Sequence, residues 1–166
     1  MIVSIRMCSS AANFHGVSVL AAAWWQSHPT AFLDFPLPGT GSLARVGVPV
    51  NVDSGIYTHD SVTLLSVRPR IAPGSLDADI ALTVCRHPSP GAGGVGMTFG
   101  DLDPHCGTAS PVEGAALGLP VQQVAVTIRP REAGVVRIVG FDVRYRDGLQ
   151  IGTQHTGSEI TISVSD

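Results

Sequence analysis

From about Ala31 onward, apolar residues in this chain recur at every second position and sustain no helical period, and that spacing limits the fold most. Val124, Val126 and Ile128 alternate with Ala125, Thr127 and Arg129. After a break from Pro130 to Gly134, Phe141, Val143 and Tyr145 alternate with Asp142, Arg144 and Arg146. A period of two places one face on a core and the other in water, which is strand behaviour. Asp147-Gly148 fits a two-residue hairpin turn that needs positive φ. Leu149 to Gln154 then return, Thr156-Gly157-Ser158 turn again, and Ile160, Ile162 and Val164 make a last strand. The pattern predicts an antiparallel meander over the C-terminal third.

The preceding half follows the same rule less regularly. Leu43 to Val52 places Val46, Val48, Val50 and Val52 on one face, with Pro49 suiting an edge position. Val62 to Val67 follows and is closed by Arg68-Pro69-Arg70. Leu76, Ala78, Ile80, Leu82 and Val84 alternate with Asp77, Asp79, Ala81 and Thr83, and Val95 to Phe99 adds a short strand. Helix is nearly excluded, because Gly114 and Gly118 interrupt the one apolar stretch from Val112 to Leu119. These elements predict an all-β domain over residues 31–166, an antiparallel β-sandwich of about seven or eight strands. A small closed β-barrel is the alternative.

Residues 1–30 differ in character. Arg6 precedes the run Val17 to Trp25, which is too short to span a membrane yet suits the apolar region of a signal peptide. The polar stretch Cys8 to Asn13 does not belong in such a segment. Three readings stay open: a degenerate signal or anchor segment that tethers the protein to a membrane, a simple tail, or an element of the domain.

Composition excludes some classes. With 44% hydrophobic and 14% charged residues, the chain is not a disordered one. Its net charge of −3, without a basic stripe along the sequence, argues against nucleic acid as a partner. All ten basic residues are arginine, which suits a GC-rich bacterial coding sequence rather than a structural demand.

From Ser42 to Val164 the strand pattern resembles the immunoglobulin-like and fibronectin-like sandwiches. The chain as a whole resembles small exported or membrane-anchored proteins of unknown function from actinobacteria. Both resemblances imply a sandwich module, and neither assigns a functional residue. The antibody-type cysteine pair is not present, since both tryptophans precede Cys85.

Cys85 ends one strand and Cys106 lies beyond the Pro/Gly-rich segment Arg86 to Gly94. A disulfide between them would tie this loop to the strand and stabilise by roughly 3 kcal/mol in the chain-entropy model. Such a bond suits an exported protein. The same loop gathers metal-ligand types. Asp101 and Asp103 offer carboxylates for calcium, but an EF-hand needs more ligands and a closing glutamate. His87, Met97, His105 and Cys106 offer a soft set for copper. No paired His or Cys spacing supports either. Arg144 and Arg146 with Arg137 are a candidate anion-binding patch, and Gln154 with His155 a candidate partner contact.

No nucleophile elbow or ordered catalytic set occurs, so a catalytic role is not expected and no cofactor is implied. The leading expectation is a non-catalytic interaction or accessory module outside the cytoplasm, binding a protein partner. A copper or other metal carrier using residues 87–106, and a hydrolase assembled from distant residues, are the alternatives. A cytoplasmic location is the alternative to export.

Overall fold

A computed structural model describes residues 31–33, 40–58, 60–87, 95–118 and 122–166. The N-terminal segment 1–30, with its candidate signal or anchor, lies outside the described residues, as does Cys8. Among the described residues ten strands are formed, in chain order: β1 (Thr40–Arg45), β2 (Val50–Asp53), β3 (Val62–Ile71), β4 (Ala78–Arg86), β5 (Met97–Phe99), β6 (Thr108–Pro111), β7 (Ala116–Leu117), β8 (Gln122–Pro130), β9 (Gly134–Asp147) and β10 (Gln150–Ser165). Among the described residues the one helical piece is the single turn α1 (Asp103–Cys106).

The strands make two open five-stranded sheets, β1-β10-β9-β3-β7 and β5-β2-β8-β4-β6, consistent with a β-sandwich and not with a closed barrel. The core lies between them. Leu64, Phe141, Val143, Tyr145, Ile160 and Ile162 come from the first sheet, and Val50, Val52, Val84, Val124, Val126 and Ile128 from the second. Each set follows the alternation of its strand, so the hydrophobic effect selects one face of each sheet.

The connections differ from the sequence expectation at several points. β8 pairs with β2 and β4, whereas β9 pairs with β3 and β10, so no three-stranded meander forms. Arg131 to Ala133 carry the chain from one sheet to the other. Alternation reports which face is buried, and a cross-sheet connection leaves that pattern unchanged.

The run from Leu43 to Val52 also divides. Thr40–Arg45 joins the first sheet, parallel to β10, and Val50–Asp53 joins the second. The chain crosses at Gly47, whose N–H donates to the Pro130 carbonyl at 2.9 Å, and Pro49 lies in this crossing rather than on an edge strand. β3 continues through Pro69 instead of ending at it. At Pro69 the strand is paired only with β9, because β7 reaches no further than Thr63, so the missing N–H costs no ladder bond on the far side.

β10 is one strand where two were expected. Thr156-Gly157-Ser158 forms a bulge in its pairing with β9, not a turn. Gly157 has φ 92°, and a Cβ there would lie 2.8 Å from the Ser54 carbonyl oxygen and 2.7 Å from Phe141. The neighbouring Ser158 N–H donates to the same Ser54 oxygen at 2.8 Å, joining the two sheets at this corner. The hairpin before it is shifted by one residue: Asp147 pairs with Gln150, so Gly148 (φ 56°) and Leu149 are the loop.

Candidate functional site

The segment between β4 and β8 is an insertion that both edges of the second sheet are built from. β5 pairs with β2 and β6 pairs with β4, while β7 from the same segment borders β3 in the first sheet. Three of the four sheet edges are therefore short strands of this insertion. Short edge strands present few unpaired backbone groups, which limits edge-to-edge association.

The insertion is anchored from beneath. Cys85 and Cys106 stand at disulfide distance and are bonded, their Cα atoms 4.9 Å apart. Both are buried with Val95 and Ala125 in a small second core on the outer face of the second sheet, against which Leu102 packs. Ala125 is buried here although alternation turns it away from the main core, because the insertion covers that face.

Polar side chains complete the anchor. The Gln123 side chain accepts a hydrogen bond from the Val95 N–H and donates one to the Val95 carbonyl, each at 2.8 Å. His87, also buried, places Nε2 3.2 Å from the same Gln123 oxygen. Asn51 donates to the Gly100 carbonyl at 2.9 Å and accepts from the Thr127 hydroxyl at 2.7 Å. Gly100 N–H in turn donates to the Pro49 carbonyl. Every polar atom so paired is spared the desolvation cost of an unmatched buried group.

The metal-ligand candidates are not brought together. His87 is bonded to Gln123, and Met97 lies half-buried on β5 opposite Val52. Asp101, Asp103 and His105 are exposed on and before α1, and Cys106 is in the disulfide. Among the described residues no group of three or more His, Cys, Asp or Glu side chains is placed to hold a metal ion. The bonded Cys106 also offers no thiolate for nucleophilic chemistry.

A second polar region lies on the outer face of the first sheet. Arg144 on β9 stands opposite Ser66 on β3 and Thr153 on β10, and Arg68 stands opposite Asp142. Arg70 Nε donates to Asp142 at 2.9 Å, and His155 Nδ1 lies 3.2 Å from the other carboxylate oxygen. The Arg70 guanidinium, with His155 as a smaller contributor, holds the Asp142 carboxyl below the usual carboxylate range. Arg137 does not belong to this group, since it pairs with Glu159 at 3.4 Å. Gln154 is turned to another use: it accepts from the Phe32 N–H at 3.1 Å and donates to the Phe32 carbonyl at 3.2 Å.

Gln123, Asn51 and Arg68 were not singled out by sequence. An amide side chain within a Val-rich strand was the available signal, because Asn and Gln gain little on a pleated surface unless they bond across it. No protein-family model matches the sequence, and no curated protein matches it at a significant level. Among the described residues no helix is long and apolar enough to cross a membrane.

Proposed function

We propose that this protein is a non-catalytic interaction module working outside the cytoplasm, in which an immunoglobulin-like sandwich presents the insertion to a protein partner. The observation that carries the reading is the build of that insertion. It is fixed underneath by a buried disulfide and the Gln123 amide, while all four residues of β6 are exposed. A surface ordered before binding loses less conformational entropy on association.

The immunoglobulin-like part of the proposal is supported by strand order. β2-β8-β4 and β3-β9-β10 correspond to the B-E-D and C-F-G groupings of that sandwich, with the insertion between the third and fourth of these strands in chain order. Placement outside the cytoplasm is supported by the buried disulfide, which reducing compartments disfavour.

Photo-crosslinking in intact cells tests the proposal. A crosslinker at Thr108 or Ala109 on β6 is expected to give one discrete protein adduct, and one at exposed Leu149 none. Thiol trapping in the same cells is expected to find Cys85 and Cys106 oxidised. Absence of an adduct from every insertion position, or free thiols at both cysteines, overturns it.

A further inference from the structure

Around the contact of β3 with β9, the outer face of the first sheet carries Arg68, Arg70, Arg144 and Arg146, four of the chain's ten arginines, with Asp142 among them; Arg137, paired with Glu159, lies further along the same face. This is a local positive excess on a chain whose net charge is −3. In sequence the arginines come as two distant pairs, and only the register of β3 on β9 assembles them. Asp142 is already matched by Arg70 and His155. Among the described residues neither Arg68 nor Arg144 has a carboxylate partner. Arg68 and Arg144 are diagonal neighbours across β3 and β9, within reach of each other as long side chains, and a bound anion would offset their mutual repulsion.

A cleft of about 340 Å³ opens between them, lined by Ser66, Arg68, Asp142, Arg144 and Thr153. Its donors come from three adjacent strands: the Ser66 hydroxyl and Arg68 from β3, Arg144 from β9, and the Thr153 hydroxyl from β10. Arginine forks and hydroxyls arriving from three sides suit a group with oxygens in three directions, whereas a planar carboxylate presents two. Only two arginines are free at the cleft, and Asp142 borders them. One anionic group therefore fits and an extended polyanion does not.

We propose that this cleft binds a single tetrahedral oxyanion, a phosphate or sulfate group carried by a small ligand. The site is independent of the insertion and does not rest on the role proposed for it.

Titration of the full chain at constant ionic strength, followed by amide and arginine Nε chemical shifts, tests this. Inorganic phosphate, phenyl phosphate and acetate are the probes. Saturable shifts at Ser66, Arg68, Arg144 and Thr153 are expected with both phosphates, and acetate should bind at least about tenfold more weakly. Arg144→Gln should weaken phosphate binding by about tenfold, the usual loss for one charge-assisted contact. Arg68→Gln should do the same and serves if the first variant folds poorly. Arg137→Gln, which removes a guanidinium bonded to Glu159, should leave affinity unchanged. Tighter binding of phenyl phosphate assigns an ester as the ligand, tighter inorganic phosphate assigns the free ion, and either supports the site. Linear shifts, equal acetate affinity, or wild-type affinity in both cleft variants overturns it.

Discussion

Gln123 and Gln154 each use a side-chain amide as a substitute strand neighbour, the first holding Val95 of the insertion and the second holding Phe32 near the start of the described chain. Their surroundings differ. Around Gln123 the bonds are buried, His87 adds a third contact, and a disulfide closes the same segment. Around Gln154 they are partly buried, and the segment is held otherwise by packing: Phe32 meets Tyr145 edge-on with ring centroids 4.9 Å apart, and Leu33 N–H donates to the Tyr57 carbonyl at 2.9 Å. An amide of one chemical type is thus backed by a covalent crosslink in one place and by aromatic packing in the other. The two attachments should fail under different conditions.

The largest expected effect is on the insertion side. Cys85→Ala with Cys106→Ala, or reduction of the wild type, should cost about 3 kcal/mol, from loop-closure entropy restored to the unfolded chain. A fall in Tm on the order of 10 °C in calorimetry would match that figure for a domain of this size. An unchanged Tm would mean that the buried polar contacts alone secure the insertion.

Next in size is Gln123→Leu, which leaves the Val95 amide and carbonyl and the His87 ring unmatched in a dry site. About 2 kcal/mol is expected, seen as faster hydrogen exchange at Val95 and a lower Tm. Gln154→Leu should cost less, about 1 kcal/mol, because water can reach the Phe32 groups it abandons. Equal costs would show that burial does not separate the two clamps.

The smallest effect at neutral pH becomes visible only in alkali. Both tyrosines of the chain border the Phe32 segment. Burial pushes the Tyr57 hydroxyl well above its ordinary value, helped by its hydrogen bond to Asp53, and burial raises Tyr145 as well. A phenol whose folded pKa is raised contributes stability that is fully present below the unfolded value of about 10 and is lost as the pH climbs above it. Melting curves between about pH 9 and 11.5 should therefore fall at the upper end, and Tyr57→Phe should flatten the fall. The same slope in wild type and variant would place the alkaline weakness elsewhere.

Much of this architecture was legible beforehand and some was not, for definable reasons. Strand-forming character from Gln122 to Pro130 and from Gly134 to Asp147 follows from residues that alternate, because a pleated strand sends successive side chains to opposite faces. Their separation into different sheets does not, since Arg131 to Ala133 could equally close a hairpin. Thr156-Gly157-Ser158 has turn composition, yet a glycine at positive φ serves a bulge as well as a turn. The Pro/Gly-rich composition of the insertion indicates mostly loop, and its short strands β6 and β7 exist only because β4 and β3 offer edges to complete. His87 and Gln123 show the same limit: a polar side chain finds its partner through neighbours that are distant in sequence.

What the sequence by itself determined is the all-β class, most of the residues that β8, β9 and β10 bring to the main core, and the cysteine pair, because each depends on local periodicity or on a few reactive side chains. Tertiary structure alone decided which strands are neighbours, that β1 runs parallel to β10, that the insertion borders three sheet edges, and that Arg68 joins Arg144 across β3 and β9. These follow from register between segments far apart in the chain. Register is set by the packing of whole sheets, not by any one strand's pattern.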